Sequence, residues 1–179
     1  MLDHPKDCLV TLANTAFRLE ALATHPGESP WACTGSFEAL WAQADPPPDR
    51  IQLRLLSPAA FRAGGVRNVL FPEAGLVLGG LLDKWNAFCP PGLQLPADKE
   101  RLSALLQVDS YSLATRALDF GTYRETGVTG WCSYRFEATA SQEERRWAGA
   151  LAAFAFYAGV GAKTTMGMGQ ARARSPKRS

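Results

Sequence analysis

The stretch GVGAKTTMGMGQ, residues 159–170, gathers four glycines around Lys163, Thr164 and Thr165. Glycine lacks a Cβ, so such a stretch lets a ligand approach backbone N–H groups closely, and it also accepts the positive φ angles of tight turns. The ammonium of Lys163 adds charge and the hydroxyls of Thr164 and Thr165 add hydrogen bonding. That inventory suits a phosphate-rich ligand. Spacing excludes the two common nucleotide motifs. A P-loop, G-x-x-x-x-G-K-[ST], requires glycine at 157 and 162, where Tyr157 and Ala162 stand, and it follows a strand rather than a helix. The dinucleotide fingerprint G-x-G-x-x-G fails at its third glycine, which is Thr164 after Gly159 and Gly161. Spacing alone leaves a binding loop and a plain helix-to-strand turn both open.

Other chemistry is sparse. Cys8, Cys33, Cys89 and Cys132 lie far apart, with no C-x-x-C pair and no histidine at ligand spacing, so neither a metal nor another cofactor is expected. Trp85, Trp131 and Trp147 carry faces on which bases stack, but Trp85 and Trp147 fall on apolar helical stripes and read as core. Trp131, beside Gly130 in a strand, is the open case. Arg62, Arg67 and Lys84 lie within or near a helix, where a solvated face explains them as well as a phosphate contact does.

With 179 residues, 46% hydrophobic and 20% charged, the chain can bury a core in one domain or a small pair. A net charge of +2 is too mild to imply a polyanionic partner by itself, although RARSPKRS, residues 172–179, concentrates four basic groups. No apolar run reaches the ~18 residues that span a bilayer, and the first residues given show no basic n-region followed by an apolar h-region. The sequence reads as cytoplasmic, with no membrane partner.

Several elements must hold the glycine segment. Residues 8–24 read as a strand in preference to a short helix, and Thr34 as the cap of a short helix through GSFEALWAQA. DPPPD at 45–49 breaks the chain and marks a domain boundary. After it, Ile51, Leu53 and Leu55 alternate with Gln52 and Arg54 as a strand that Pro58 should stop. From Pro72, the spacing of Leu78, Leu81, Leu82, Trp85 and Phe88 predicts a helix, whose Gly79 and Gly80 would permit close packing on a sheet. Residues 107–121 and 127–138 read as antiparallel strands joined by TYRET. Ser141 and Glu144 form a capping-box signature for a helix with Trp147, Leu151, Phe154 and Ala158 on its apolar stripe, ending at Gly159. A last strand lies in MGMGQARAR. The order is β-α-β-β-α-β, an α+β ferredoxin-like, RRM-like arrangement.

LSPAAFR at 56–62, FPEAGLVLGGLLDKWNAF at 71–88, GVTGWCSYRF at 127–136 and FAFYAGVGAKTTMGMGQAR at 154–172 together resemble the C-terminal region of the CRISPR-associated repeat-processing endoribonucleases, the Cas6 family of the RAMP superfamily. The resemblance spans about residues 50–174, and the glycine-rich stretch is its most specific part. It implies paired ferredoxin-like domains, a glycine-rich loop that meets RNA, and metal-independent cleavage of precursor CRISPR RNA within each repeat. Carried over by position, the RNA-contact candidates are Gly159, Gly161, Lys163, Thr164, Thr165, Gly167 and Gly169, with Lys163 on a phosphate. Arg172 and Arg174 would track the same RNA backbone, since phosphate contacts supply much of the affinity and its salt dependence. The implied partners are CRISPR repeat RNA and the proteins of a CRISPR effector complex.

The implied organisation is 1–49 as the remnant of a first ferredoxin-like domain with its linker, 50–174 as the RNA-binding domain, and 175–179 as a basic tail. Attack of a ribose 2′-hydroxyl on the adjacent phosphate wants a general base near pH 7, most often histidine. Only His4 and His25 are present, one near the terminus and one in the turn THPG, and the family commonly places that base in the part that is short here. Tyr111, Tyr123, Tyr134 and Lys163 are the remaining proton-transfer or charge-stabilising groups, and no catalytic residue is assigned among them. Three readings follow: a repeat-processing endoribonuclease, an RNA-holding remnant or effector subunit that does not cut, and a protein-interaction domain whose glycine segment is only a turn.

Overall fold

Strand β3, Arg50–Ala59, buries Ile51, Leu53 and Leu55 and exposes Arg54, as its alternation requires. The computed structural model describes residues 9–12, 15–29, 31–64 and 67–174. His4, Cys8 and the tail 175–179 fall outside the described residues. The chain divides after Ser36 into two compact units.

In the first unit β1, Leu9–Leu12, pairs antiparallel with β2, Thr15–Arg18. The run expected as one strand is therefore divided between two short paired ones, Leu9–Leu12 and Thr15–Arg18.

In the second unit β3 pairs antiparallel with β7, Arg124–Phe136, on one side and with β8, Ala171–Ala173, on the other, while β6, Leu106–Asp119, pairs with β7. The sheet order β6-β7-β3-β8 is 2-3-1-4 when its four strands are numbered along the chain, the ferredoxin-like order with each crossover helix joining strands two places apart. The crossovers are α2, Ala74–Phe88, and α4, Gln142–Ala158. They cover the sheet face that carries Leu53, Leu55, Cys132, Tyr134 and Phe136, all buried, with Leu78, Leu81, Trp85, Leu151 and Phe154. Helix α1, Phe37–Gln43, joins this core: Phe37 meets the Trp85 ring edge-on at 4.9 Å and Phe154 at 5.5 Å. Such aromatic contacts add ~0.5–1.5 kcal/mol to the burial itself. Trp85 and Trp147 are core residues as their stripes indicated, the first fully and the second partly buried.

Several local expectations change. Helix α1 starts at Phe37, too late for Thr34 to cap it. Pro58 does not stop β3, because the sheet register shifts between Leu55 and Ala59 and the strand passes the missing donor there. Phe88 is exposed at the end of α2, outside the core. The glycines that permit close packing in α2 are Gly75 and Gly79, against Ser103 and Lys99 of α3, Lys99–Leu105, rather than Gly79 and Gly80 against the sheet. Helix α3 was not expected, nor was the small hairpin of β4, Phe61–Ala63, with β5, Arg67–Val69. The β6–β7 turn occupies 120–123, so Arg124 and Glu125 already belong to β7. The capping box at Ser141 and Glu144 and the C-cap at Gly159 are present as read.

Candidate nucleic-acid interface

Helix α4 delivers its last turn to Gly159, whose φ of 63° lets the chain leave the helix sharply. The loop that follows is fastened by its backbone. Val160 N–H donates to Gly169 O at 2.8 Å, closing the base of the loop. Ala162 N–H donates to Ala60 O at 2.8 Å and Gly169 N–H to Pro58 O at 2.9 Å, while Gln170 N–H donates to Ser57 Oγ at 2.8 Å. The loop thus lies along the end of β3, and its backbone comes so near that a Cβ on Gly161 would sit 2.3 Å from Ala60 O and one on Gly169 1.9 Å from Val160 O. Val160 and Met168 are buried beneath it, and Thr164–Met166 form a single 3-10 turn at its tip, where Thr165 and Met166 are exposed.

Lys163 is the non-glycine residue with positive φ among the described residues, at 57°. A left-handed lysine costs about 1–2 kcal/mol over its ordinary conformation, so the fold holds it there against a local preference. Its ammonium is ion-paired with the carboxylate of Glu125 in β7 and lies 4.3 Å from the ring centroid of Tyr123. Phe120 stacks on Tyr123 with centroids 5.1 Å apart, completing an aromatic wall at the β6–β7 turn. The Glu125 carboxylate, ahead of the other neighbours, raises the Lys163 pKa above its ordinary value.

For Lys84 the sequence leaves a solvated helical face and a phosphate contact equally open, and the structure gives it a third role. Its half-buried ammonium donates to Ala158 O and Gly159 O, each at 3.1 Å, and to Thr164 Oγ1 at 3.4 Å. It therefore neutralises the carbonyl end of α4 and ties that end to the loop tip. Burial lowers its pKa. A recess of about 240 Å³ opens beside this junction, lined by Phe156, Tyr157, Gly159, Thr164, Gly167 and Gln170 among others.

The structure brings Gly159, Gly161, Lys163, Thr164, Thr165, Gly167 and Gly169 together on one fastened loop. Arg172 and Arg174 stand apart from it. Arg172 is paired in β8 with Arg54, and its guanidinium lies 5.7 Å over the ring of Phe156. Arg174 N–H donates to Gln52 O, six residues down β3 from Pro58, about 20 Å away along an extended strand. Trp131, partly exposed, is the partner of Arg54 on the other side of β3. Arg62 is exposed on β4 and Arg67 begins β5.

Of the proton-transfer candidates, Tyr134 is buried, its hydroxyl donates to Pro72 O at 2.8 Å, and burial raises its pKa well above the ordinary value. Tyr111 packs edge-on against Phe71 at 5.2 Å. His25 lies in the first unit, 3.3 Å from the carboxylate of Glu28 in the same turn. Among the described residues no three His, Cys, Asp or Glu side chains gather to hold a metal ion. No helix is long and apolar enough to cross a membrane, again among the described residues. Sequence reasoning missed Glu125 and the structural role of Lys84. The one available signal was a lysine set between Leu81, Leu82 and Trp85 at the edge of an apolar stripe.

Residues 53–171 match the family model of the CRISPR-associated endoribonuclease Cas6. Among solved structures, a Cas6 product complex is 37% identical with a TM-score of 0.76, aligned over 93% of this chain and 68% of that one. A second Cas6 product complex is 30% identical with a TM-score of 0.78, over 92% of this chain and 64% of that one. Thermus thermophilus Cas6 is 27% identical with a TM-score of 0.75, over 90% of this chain and 66% of that one. The chain thus spans about two thirds of the length of these relatives. No curated protein matches it.

Proposed function

From the premise that the chain belongs to the CRISPR-associated endoribonuclease Cas6 family, we propose that it binds CRISPR repeat RNA through the loop 159–169 and takes part in processing precursor CRISPR RNA in the cytoplasm. The observation that carries this reading is the fastened loop itself. It presents a lysine in a left-handed conformation and two threonines on a rigid base formed by β3, α2 and α4, with Gly167 exposed at the tip and Gly159 and Gly169 buried beneath it. A pre-formed loop loses little entropy on binding, which a plain turn would have no reason to secure. Lys163 is the phosphate contact in this reading, and Arg172 and Arg174 extend the path along β8. RNA cleavage is metal-independent attack of a 2′-hydroxyl, leaving a 2′,3′-cyclic phosphate, and proteins of a CRISPR effector complex receive the product.

Lys163→Ala tests the binding half. Filter binding to the chain's own repeat RNA across a salt series should show weaker affinity and a slope of log K against log salt shallower by about 0.7–0.9, the share of one phosphate contact. Unchanged affinity and slope would sink the loop as a phosphate site.

A second reading, RNA holding without cutting, is favoured by the histidines. His25, the one described histidine, lies in a turn with its ring 3.3 Å from the Glu28 carboxylate. Incubation of the chain with repeat RNA in EDTA separates the readings: a single cut supports processing, and retention without a cut supports holding.

A further inference from the structure

The loop's one lysine is already matched. Lys163 and Glu125 are both partly buried, with side chains 22% and 20% exposed, and their ion pair joins the loop to β7 across 38 residues of sequence. The aromatic wall of Tyr123 and Phe120 closes a further side of the ammonium. The next cation along, Arg124, faces Asp119 at 3.2 Å, but both of those side chains are more than half exposed. An exposed pair opens readily to water and salt, whereas a pair shielded by protein persists. The charge that a phosphate would seek on this loop is therefore held by a carboxylate that a phosphate would also repel.

We propose that Glu125 is a specificity-determining residue: it stands on Lys163 in the RNA-free protein as a resident anion, which only an RNA anchored by its other contacts displaces. The proposal rests on the reading of the loop as an RNA contact. Its physical content is a competition between two anions for one ammonium. A weakly held polyanion gains one phosphate contact and loses the Lys163–Glu125 pair, so its net gain is small. A repeat RNA already seated on the threonines of the loop tip and on β8 delivers its phosphate at high effective concentration, and the exchange goes forward. Glu125 thus lowers binding to wrong RNA more than to right RNA, which is selection by an unfavourable element rather than by an added contact.

The experiment uses Glu125→Gln, close to the same shape without the charge, together with Lys163→Ala and the double variant. Each is titrated with the repeat RNA and with a scrambled RNA of equal length across a salt series, and thermal melts establish that each is folded. Glu125→Gln should bind the scrambled RNA about tenfold tighter at low salt, with a salt slope steeper by about 0.7–0.9. Its affinity for repeat RNA should change less, so discrimination falls. The double variant should lose the gain. If Glu125→Gln binds scrambled RNA no more tightly, or more weakly, Glu125 is not a resident competitor and the proposal is overturned. A gain that survives in the double variant overturns it equally, because the gain does not pass through Lys163. Should Glu125→Gln not fold, Glu125→Ala carries the same comparison. Failure of the loop reading looks different: Lys163→Ala alone would leave repeat affinity unchanged, whatever Glu125→Gln does.

Discussion

Lys84 of α2 caps the chain at Gly159: its ammonium takes up the carbonyl oxygens of Ala158 and Gly159 at 3.1 Å, 74 and 75 positions away in sequence. One helix therefore finishes another, and the finishing group also sets the start of the candidate RNA loop.

Lys84→Met keeps the aliphatic stem and removes the donor. Two helix-end carbonyls and the Thr164 hydroxyl lose their partner, and the expected cost is about 1–3 kcal/mol by urea denaturation. Affinity for repeat RNA should fall as well, although Lys84 is half-buried behind the loop. Full stability with unchanged affinity would mean that water replaces the ammonium without loss.

Gly169→Ala and Gly167→Ala separate close approach from backbone freedom. Both positions have positive φ, 68° and 86°, but a Cβ at 169 meets Val160 O at 1.9 Å while one at 167 meets nothing within 4 Å. The variant at 167 should lose about 1 kcal/mol from its left-handed backbone alone. The variant at 169 should lose more than twice that, since the contact is with backbone and cannot relax. Equal melting temperatures would refute the fastened geometry of the loop.

The capping box of α4 should govern the acid limb of stability. Glu144 has its pKa lowered to about 2, first by the Arg101 guanidinium and then by the Ser141 N–H. Its folded value lies below the ~4.3 of an unfolded glutamate, so its contribution is complete above about pH 5 and is lost as pH falls from there through 2. Glu144→Gln should flatten that part of the stability curve, and Ser141→Ala should cost about 1 kcal/mol at neutral pH. A pH profile between 2 and 6 that matches the parent would show that another carboxylate sets the limb.

Trp131 tests whether the sheet contributes to binding. Opposite Arg54 and partly exposed, it should lose less stability on substitution by alanine than a fully buried tryptophan, while a stacked base would cost about 1–3 kcal/mol of RNA affinity. Trp85→Ala, its fully buried counterpart, should lose about 3–5 kcal/mol of stability. Unchanged affinity in Trp131→Ala would confine the interface to the loop.

The sheet and its crossover helices were legible because each carries a long regular pattern: the alternation in β3, the apolar stripes of α2 and α4, and the capping box. Helix α3 was not, because it runs straight into β6 at Leu105 and Leu106, with no turn residue to separate a seven-residue helix from the strand. Its one cue was Asp98, whose side chain caps it by accepting from Arg101 N–H. The strands β4 and β5, three residues each, are too short to show a period. In the site, the glycines announced the loop, but its chemistry rests on Lys84 and Glu125, 75 and 38 positions from their partners. No local pattern encodes such pairs. They exist because the ferredoxin-like order carries the ends of α2, α4 and β7 to the same place.

The bonds that fasten residues 162, 169 and 170 all land on residues 57–60, the Gln170–Ser57 contact bridging 113 positions. During synthesis the anchor emerges long before the segment that it must receive. Helix α2 and the β6–β7 hairpin emerge while the loop still has no shape, so the loop forms after most of the parts that hold it. A chain cut after Gly159 would keep β3, β6, β7, α2 and α4 and possess no such loop at all.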